Sequence, residues 1–157
     1  MCEYCGCQAV TAIDDLTREH DVAVNLIGEI RAARAATDTA RMAELACRIT
    51  AVLEPHTQVE EQGLFPALAA DFPDRVTALR ADHRHIEAVL GEAKHGTPTD
   101  PTWPGRLIAT LELLREHILK EQNGVFPAAL ANLNPDDWDA IDTIRAKVGT
   151  LLPATGR

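Results

Sequence analysis

Apolar residues recur every three or four positions from Val10 to about Ala36, at Val10, Ile13, Leu16, Ala23, Ile27 and Ile30. That is the spacing of one helix face, and no proline or alternating strand pattern competes with it. Thr37-Asp38 ends this helix, and a second helical pattern from about Thr39 to Ala70 carries Met42, Leu45, Ile49, Val52 and Leu53. Pro55 and Pro66 fall inside it; each should kink or locally break the helix, because proline has no backbone N–H to donate. Asp71-Phe72-Pro73 opens a third helix reaching about Lys94, and His95 to Thr102, rich in turn formers, is the clearest loop. A fourth helix runs from about Trp103 to Ala131, with Pro127 inside it. Asn134-Pro135-Asp136-Asp137 starts a short fifth helix to about Thr150, its acids at the favourable N-terminal end of the helix dipole. The expected fold is all-α: an antiparallel up-down four-helix bundle over residues 10–152, with a short C-terminal fifth helix and a Cys-rich N-terminal tail over residues 1–9.

Composition narrows this further. A chain of 157 residues with 46% hydrophobic and 25% charged residues is one domain with a core of its own. Aromatics supply only 4%, which suits helices packed on helices better than a sandwich or barrel. Twenty-four acids against fifteen bases give a net charge of -9, so no nucleic-acid partner is expected, and metal ions or other cations suit the chain better. No apolar run is long enough to span a bilayer, so no membrane partner is expected either. Met1-Cys2-Glu3-Tyr4 lacks the basic and apolar regions of a signal peptide, and the expected location is cytoplasmic.

The chain also resembles itself. His56, Glu60, Gly63, Phe65, Pro66 and Ala67 match His117, Glu121, Gly124, Phe126, Pro127 and Ala128, each 61 positions on. Leu16, Glu19, His20, Gly28 and Glu29 match Leu79, Asp82, His83, Gly91 and Glu92, each 63 positions on. The bundle therefore reads as two helical hairpins related by an approximate twofold, with one matched His on each of four helices. His56 and Glu60, like His117 and Glu121, lie four residues apart, about 40° around the helix axis, so each pair faces one way a turn apart. Both pairs can reach one point in the bundle interior. Imidazole supplies a neutral nitrogen donor, and a carboxylate can bridge two cations while offsetting their repulsion. Duplication of a stable hairpin would copy apolar positions first, yet here polar residues survive best.

The pattern His20, His56-x3-Glu60, His83, His117-x3-Glu121, with Phe-Pro following each Glu, resembles the hemerythrin-like, or HHE cation-binding, family over roughly residues 10 to 131. The resemblance implies a four-helix bundle around a non-haem di-iron centre that binds O2, NO or peroxide. Carried over, His20 and His56 would ligate one iron, His83 and His117 the other, and Glu60 and Glu121 would bridge. Two features depart from the oxygen carriers of that family: Glu87 stands where they place a further His, and His117-x3-Glu121 replaces their His-x4-Asp. Both point towards its iron-repair, iron-sensing and stress-response branches. Glu87 shares a face with His83 and is a candidate ligand or ligand-holding group.

Two iron ions are thus the expected cofactor, although manganese or zinc could occupy such a site. Binding or reduction of a small oxidant, with an electron donor the sequence does not identify, stands beside an iron-sensing module without turnover and a metal-free helical interaction protein. Of the remaining candidates, His85 points away from any shared site and His95 borders the loop. Glu61 is expected to face solvent, Phe65 and Phe126 to pack beside the site, and Cys47 to be a small core residue. Cys2, Cys5 and Cys7 form a possible redox or metal-binding tail.

Overall fold

The computed structural model describes residues 6–153. Helix α1 spans Cys7–Ala35 and α2 Thr39–Val59, followed by a π turn over Glu60–Leu64 and a short α3 over Phe65–Leu68. Helix α4 spans Pro73–Gly91 and α5 Trp103–Lys120; a second π turn over Glu121–Val125 leads into α6, Phe126–Asn132, and α7 spans Pro135–Val148. No strand occurs among the described residues. None of their helices is long and apolar enough to cross a membrane.

The boundaries follow local chemistry. Thr37 takes a left-handed backbone (φ 56°), and Asp38 caps α2 by accepting from the Arg41 N–H at 3.0 Å. Asn134 and Asp137 exchange hydrogen bonds in a capping box that starts α7, with Pro135 in the first turn. Pro55 behaves otherwise than expected, since α2 runs through it to Val59. The breaks come instead before Pro66 and Pro127. At each, the phenylalanine N–H reaches back five residues, Phe65 to the Glu60 carbonyl and Phe126 to that of Glu121. A proline ring collides with the carbonyl four residues earlier, and a widened turn relieves that crowding.

Two apolar layers fill the bundle. One joins α1, α2, α4 and α5 around Ile30, Leu45, Ile49, Leu90, Trp103 and Leu107. The other joins the start of α1 to α3, α4, α6 and α7 around Leu16, Phe65, Leu79, Phe126, Trp138 and Ile141. Along every long helix the switch from one layer to the other falls at the matched histidine, so a polar stratum crosses the bundle between two hydrocarbon ones. Helix α7 closes the second layer and sits on the first π turn: a Cβ at Gly63 would stand 3.0 Å from Ile141 Cγ1 and 3.1 Å from Ile144 Cδ1.

Candidate metal centre

In that stratum His20, His56, Glu60, His83, His117 and Glu121 meet, all buried. They form two groups that share both carboxylates: His20, His56, Glu60 and Glu121 in one, Glu60, His83, His117 and Glu121 in the other. Within each group the donor atoms lie within 4.8 Å of one another. Rings pair across the helices, with His20 and His56 centroids 4.6 Å apart and those of His83 and His117 4.7 Å apart.

Each imidazole is held from outside by Nδ1. His56 Nδ1 donates to Glu19 at 3.1 Å, His117 Nδ1 to Asp82 at 3.1 Å, His83 Nδ1 to Glu61 at 2.6 Å and His20 Nδ1 to the Gln122 carbonyl oxygen at 3.2 Å. These partners obey the internal repeat. The acid before each histidine of α1 and α4 holds the histidine of the next helix, and the residue after each site glutamate holds a histidine of the other hairpin. A hydrogen bond at Nδ1 fixes the tautomer and turns the Nε2 lone pair inward.

The inward atoms are left without conventional partners. His20 Nε2 and all four carboxylate oxygens of Glu60 and Glu121 are buried and make no hydrogen bond. They nonetheless crowd together: His20 Nε2 is 3.0 Å from Glu121 Oε1, and Glu60 Oε1 is 3.3 Å from both His56 Nε2 and His83 Nε2. These approaches lack hydrogen-bond alignment. His83 Nε2 and His117 Nε2 are 3.1 Å apart, so a proton or a cation must separate their lone pairs. Unpaired buried polar groups cost about 1–3 kcal/mol each, and a cation among them would use them all. Nitrogen and carboxylate donors in this number fit a pair of iron, manganese or zinc ions.

The electrostatics point the same way. Burial would push the His56 imidazole down, but the Glu60 charge, the hydrogen bond to Glu19 and the nearby Glu121 raise it to about 10. Burial likewise opposes His117, which contact with Glu121 and the charge of Glu60 raise to about 9. Against its own burial, Glu60 is held well below the usual carboxylate range by the His56 charge. The cage thus favours positive charge at its centre.

Phenylalanines close the stratum. Phe65 stacks on His83 at 5.6 Å between centroids and Phe126 on His20 at 5.5 Å. Five residues of ordinary α-helix would leave Phe65 about 140° away from Glu60; the π turn is what swings it round. Sequence reasoning placed the phenylalanines beside the site but missed the π turns, whose signal is the proline six residues after each glutamate.

Two expectations need correction. Glu61 does not face solvent: besides His83, it takes both guanidinium nitrogens of Arg84 at 3.0 Å and one of Arg80 at 3.3 Å. Its own helix suggests solvent, and α4 supplies the partners. Cys47 is exposed, not a core residue: it lies about 100° round the helix from Ala46, off the apolar stripe, with its thiol 3.2 Å from the Ala93 carbonyl. Glu87 is exposed and belongs to neither group. His85 and His95 are exposed, as expected. Cys7 is exposed at the first residue of α1, and Cys2 and Cys5 lie outside the described residues.

A family comparison gives the same span. The family model for the Hemerythrin HHE cation binding domain matches residues 11–129, which include all six groups. No curated protein and no solved structure matches the chain.

Proposed function

The chain belongs to the hemerythrin HHE cation-binding family, and from that premise we propose that its buried cluster holds two iron ions and that the protein binds or reduces a small oxidant: O2, peroxide or NO. The observation that carries this reading is the set of orphaned carboxylate oxygens, which face four inward Nε2 atoms in two overlapping groups. In it His20 and His56 would hold one ion and His83 and His117 the other, with Glu60 and Glu121 offering carboxylate oxygens to both. Ferrous iron in such a site supplies electrons and an open Lewis-acid position for the oxidant.

The protein's own part is to orient and to insulate. Glu19, Gln122, Glu61 and Asp82 keep each Nδ1–H engaged and so keep each Nε2 available. Glu60 and Glu121 offset the charge of the cations. Phe65 and Phe126, from the second apolar layer, cover the rings of His83 and His20 on that side. An oxidative or nitrosative stress role, or one in iron homeostasis, accords with this chemistry.

A second reading, an iron sensor without turnover, is favoured by a specific contact. Glu19, which holds His56, also accepts from Arg145 of α7 and from Thr150 Oγ1 at 2.7 Å, so α7 and the turn after it are tied to the cluster. Metal analysis of the purified protein tests both readings: two irons per chain are expected, falling in His56→Ala and Glu121→Ala, and unchanged content in both variants overturns the ligand set. Mixing the reduced protein with O2, NO and peroxide then separates them. Repeated consumption of one oxidant supports turnover, and a single slow stoichiometric oxidation supports the sensor.

A further inference from the structure

A half-open cleft of about 840 Å³ lies between α2 and α4, and the four buried site histidines form its floor. Leu53, Ile86, Leu90 and Leu114 line its inner walls. Exposed Ala51 and Gly91, one from each helix, flank it with no bulk, and exposed Glu54, Glu87 and Lys94 stand round it. An inorganic oxidant needs far less room: O2, NO or hydrogen peroxide occupies on the order of one or two water volumes, each about 30 Å³. A cavity of this size matches those that enclose small organic molecules. Its inner walls offer apolar contact, while its charged rim, two acids to one base, does not favour an anion.

We propose that this cleft is a binding site for the organic part of an uncharged alkyl or aryl hydroperoxide, its O–O group directed at the histidines. The inference rests on the oxidant reading above and names its substrate class. The O–O bond of ROOH breaks; two electrons come from two Fe2+ ions, which become Fe3+, and two protons from solvent complete ROH and water. In this assignment Glu87 is a residue of the entrance and not a ligand.

The test uses cumene hydroperoxide and the alcohol it yields, 2-phenyl-2-propanol. Titration of the protein as isolated with the alcohol, followed by methyl NMR, should give saturable shifts at Leu53, Ile86, Leu90 and Leu114. Gly91→Phe should abolish them. A Cβ at Gly91 meets nothing within 4 Å, so the position tolerates a side chain, and Ala51→Phe adds bulk to the cleft's edge independently from α2. In the reduced iron-loaded protein, oxidation by cumene hydroperoxide should slow about tenfold or more in either variant, while oxidation by hydrogen peroxide stays within about twofold. Absence of saturable shifts, or equal effects on the two peroxides, overturns the proposal. Failure of the protein to take up iron sinks the oxidant reading instead and leaves the alcohol titration to decide whether the cleft binds organic molecules.

Discussion

Glu19 lies one residue before His20 yet serves His56, and its carboxylate is held in turn by Arg145 at 2.7 and 2.9 Å. Groups that orient a metal-binding imidazole typically set affinity by 10- to 100-fold. Arg145→Met should therefore weaken metal binding by about that factor in competition with a chelator. Arg106→Met should leave it unchanged, because that guanidinium bonds Glu92, Asp100 and Thr102, all exposed and none of them a partner of a site histidine. The six central residues were legible in the sequence because spacing and repetition both mark them. Their partners were not, although Glu19 with Asp82, and Glu61 with Gln122, stand in the same register. Angular reasoning about one helix places an acid beside its own histidine and cannot see that it bonds to the histidine of the next helix.

The repeat also carries two glycines whose surroundings differ. A Cβ at Gly63 presses on Ile141, including its Cα at 3.4 Å, whereas one at Gly124 meets only Arg75 Nη1 at 3.0 Å, the end of a flexible side chain. Gly63→Ala must displace the Ile141 and Ile144 side chains of α7, with an overpacking cost of about 1–3 kcal/mol that outweighs the gain of up to about 1 kcal/mol in helix propensity. Gly124→Ala should be neutral or slightly stabilising. Urea unfolding of the two variants checks the contrast, and equal changes would mean that α7 does not bear on the π turn. The periodicity of apolar residues revealed the helices, while the departures from α geometry escaped it. Pro55 and Pro66 look alike in sequence; one is absorbed within α2 and the other follows a π turn.

The polar stratum between two apolar layers governs the behaviour of the molecule as a whole. Ile49 is fully buried in the layer built on α2 and α5, so Ile49→Ala should cost about 2–5 kcal/mol while leaving the number of irons bound per chain unchanged. Stripping metal from the loaded protein should lower its melting temperature, because a ligand present at a thousand times its Kd stabilises the fold by about 4 kcal/mol. A scan with and without chelator measures this, and coincident transitions would exclude a bound cation. The bundle and its added helix could be read from sequence because helix period and loop chemistry agree throughout. The cleft could not, since its walls come from residues of several helices whose relative placement no local pattern records. A cage assembled from two identical hairpins would be bound by symmetry to treat both of its ends alike. Here the hairpins are one covalent chain, an amide at Gln122 answers a carboxylate at Glu61, and α7 reaches Glu19, the partner of His56, and packs on the first of the two π turns. The two ends are thereby released from equivalence, so their affinities for a cation need not be the same.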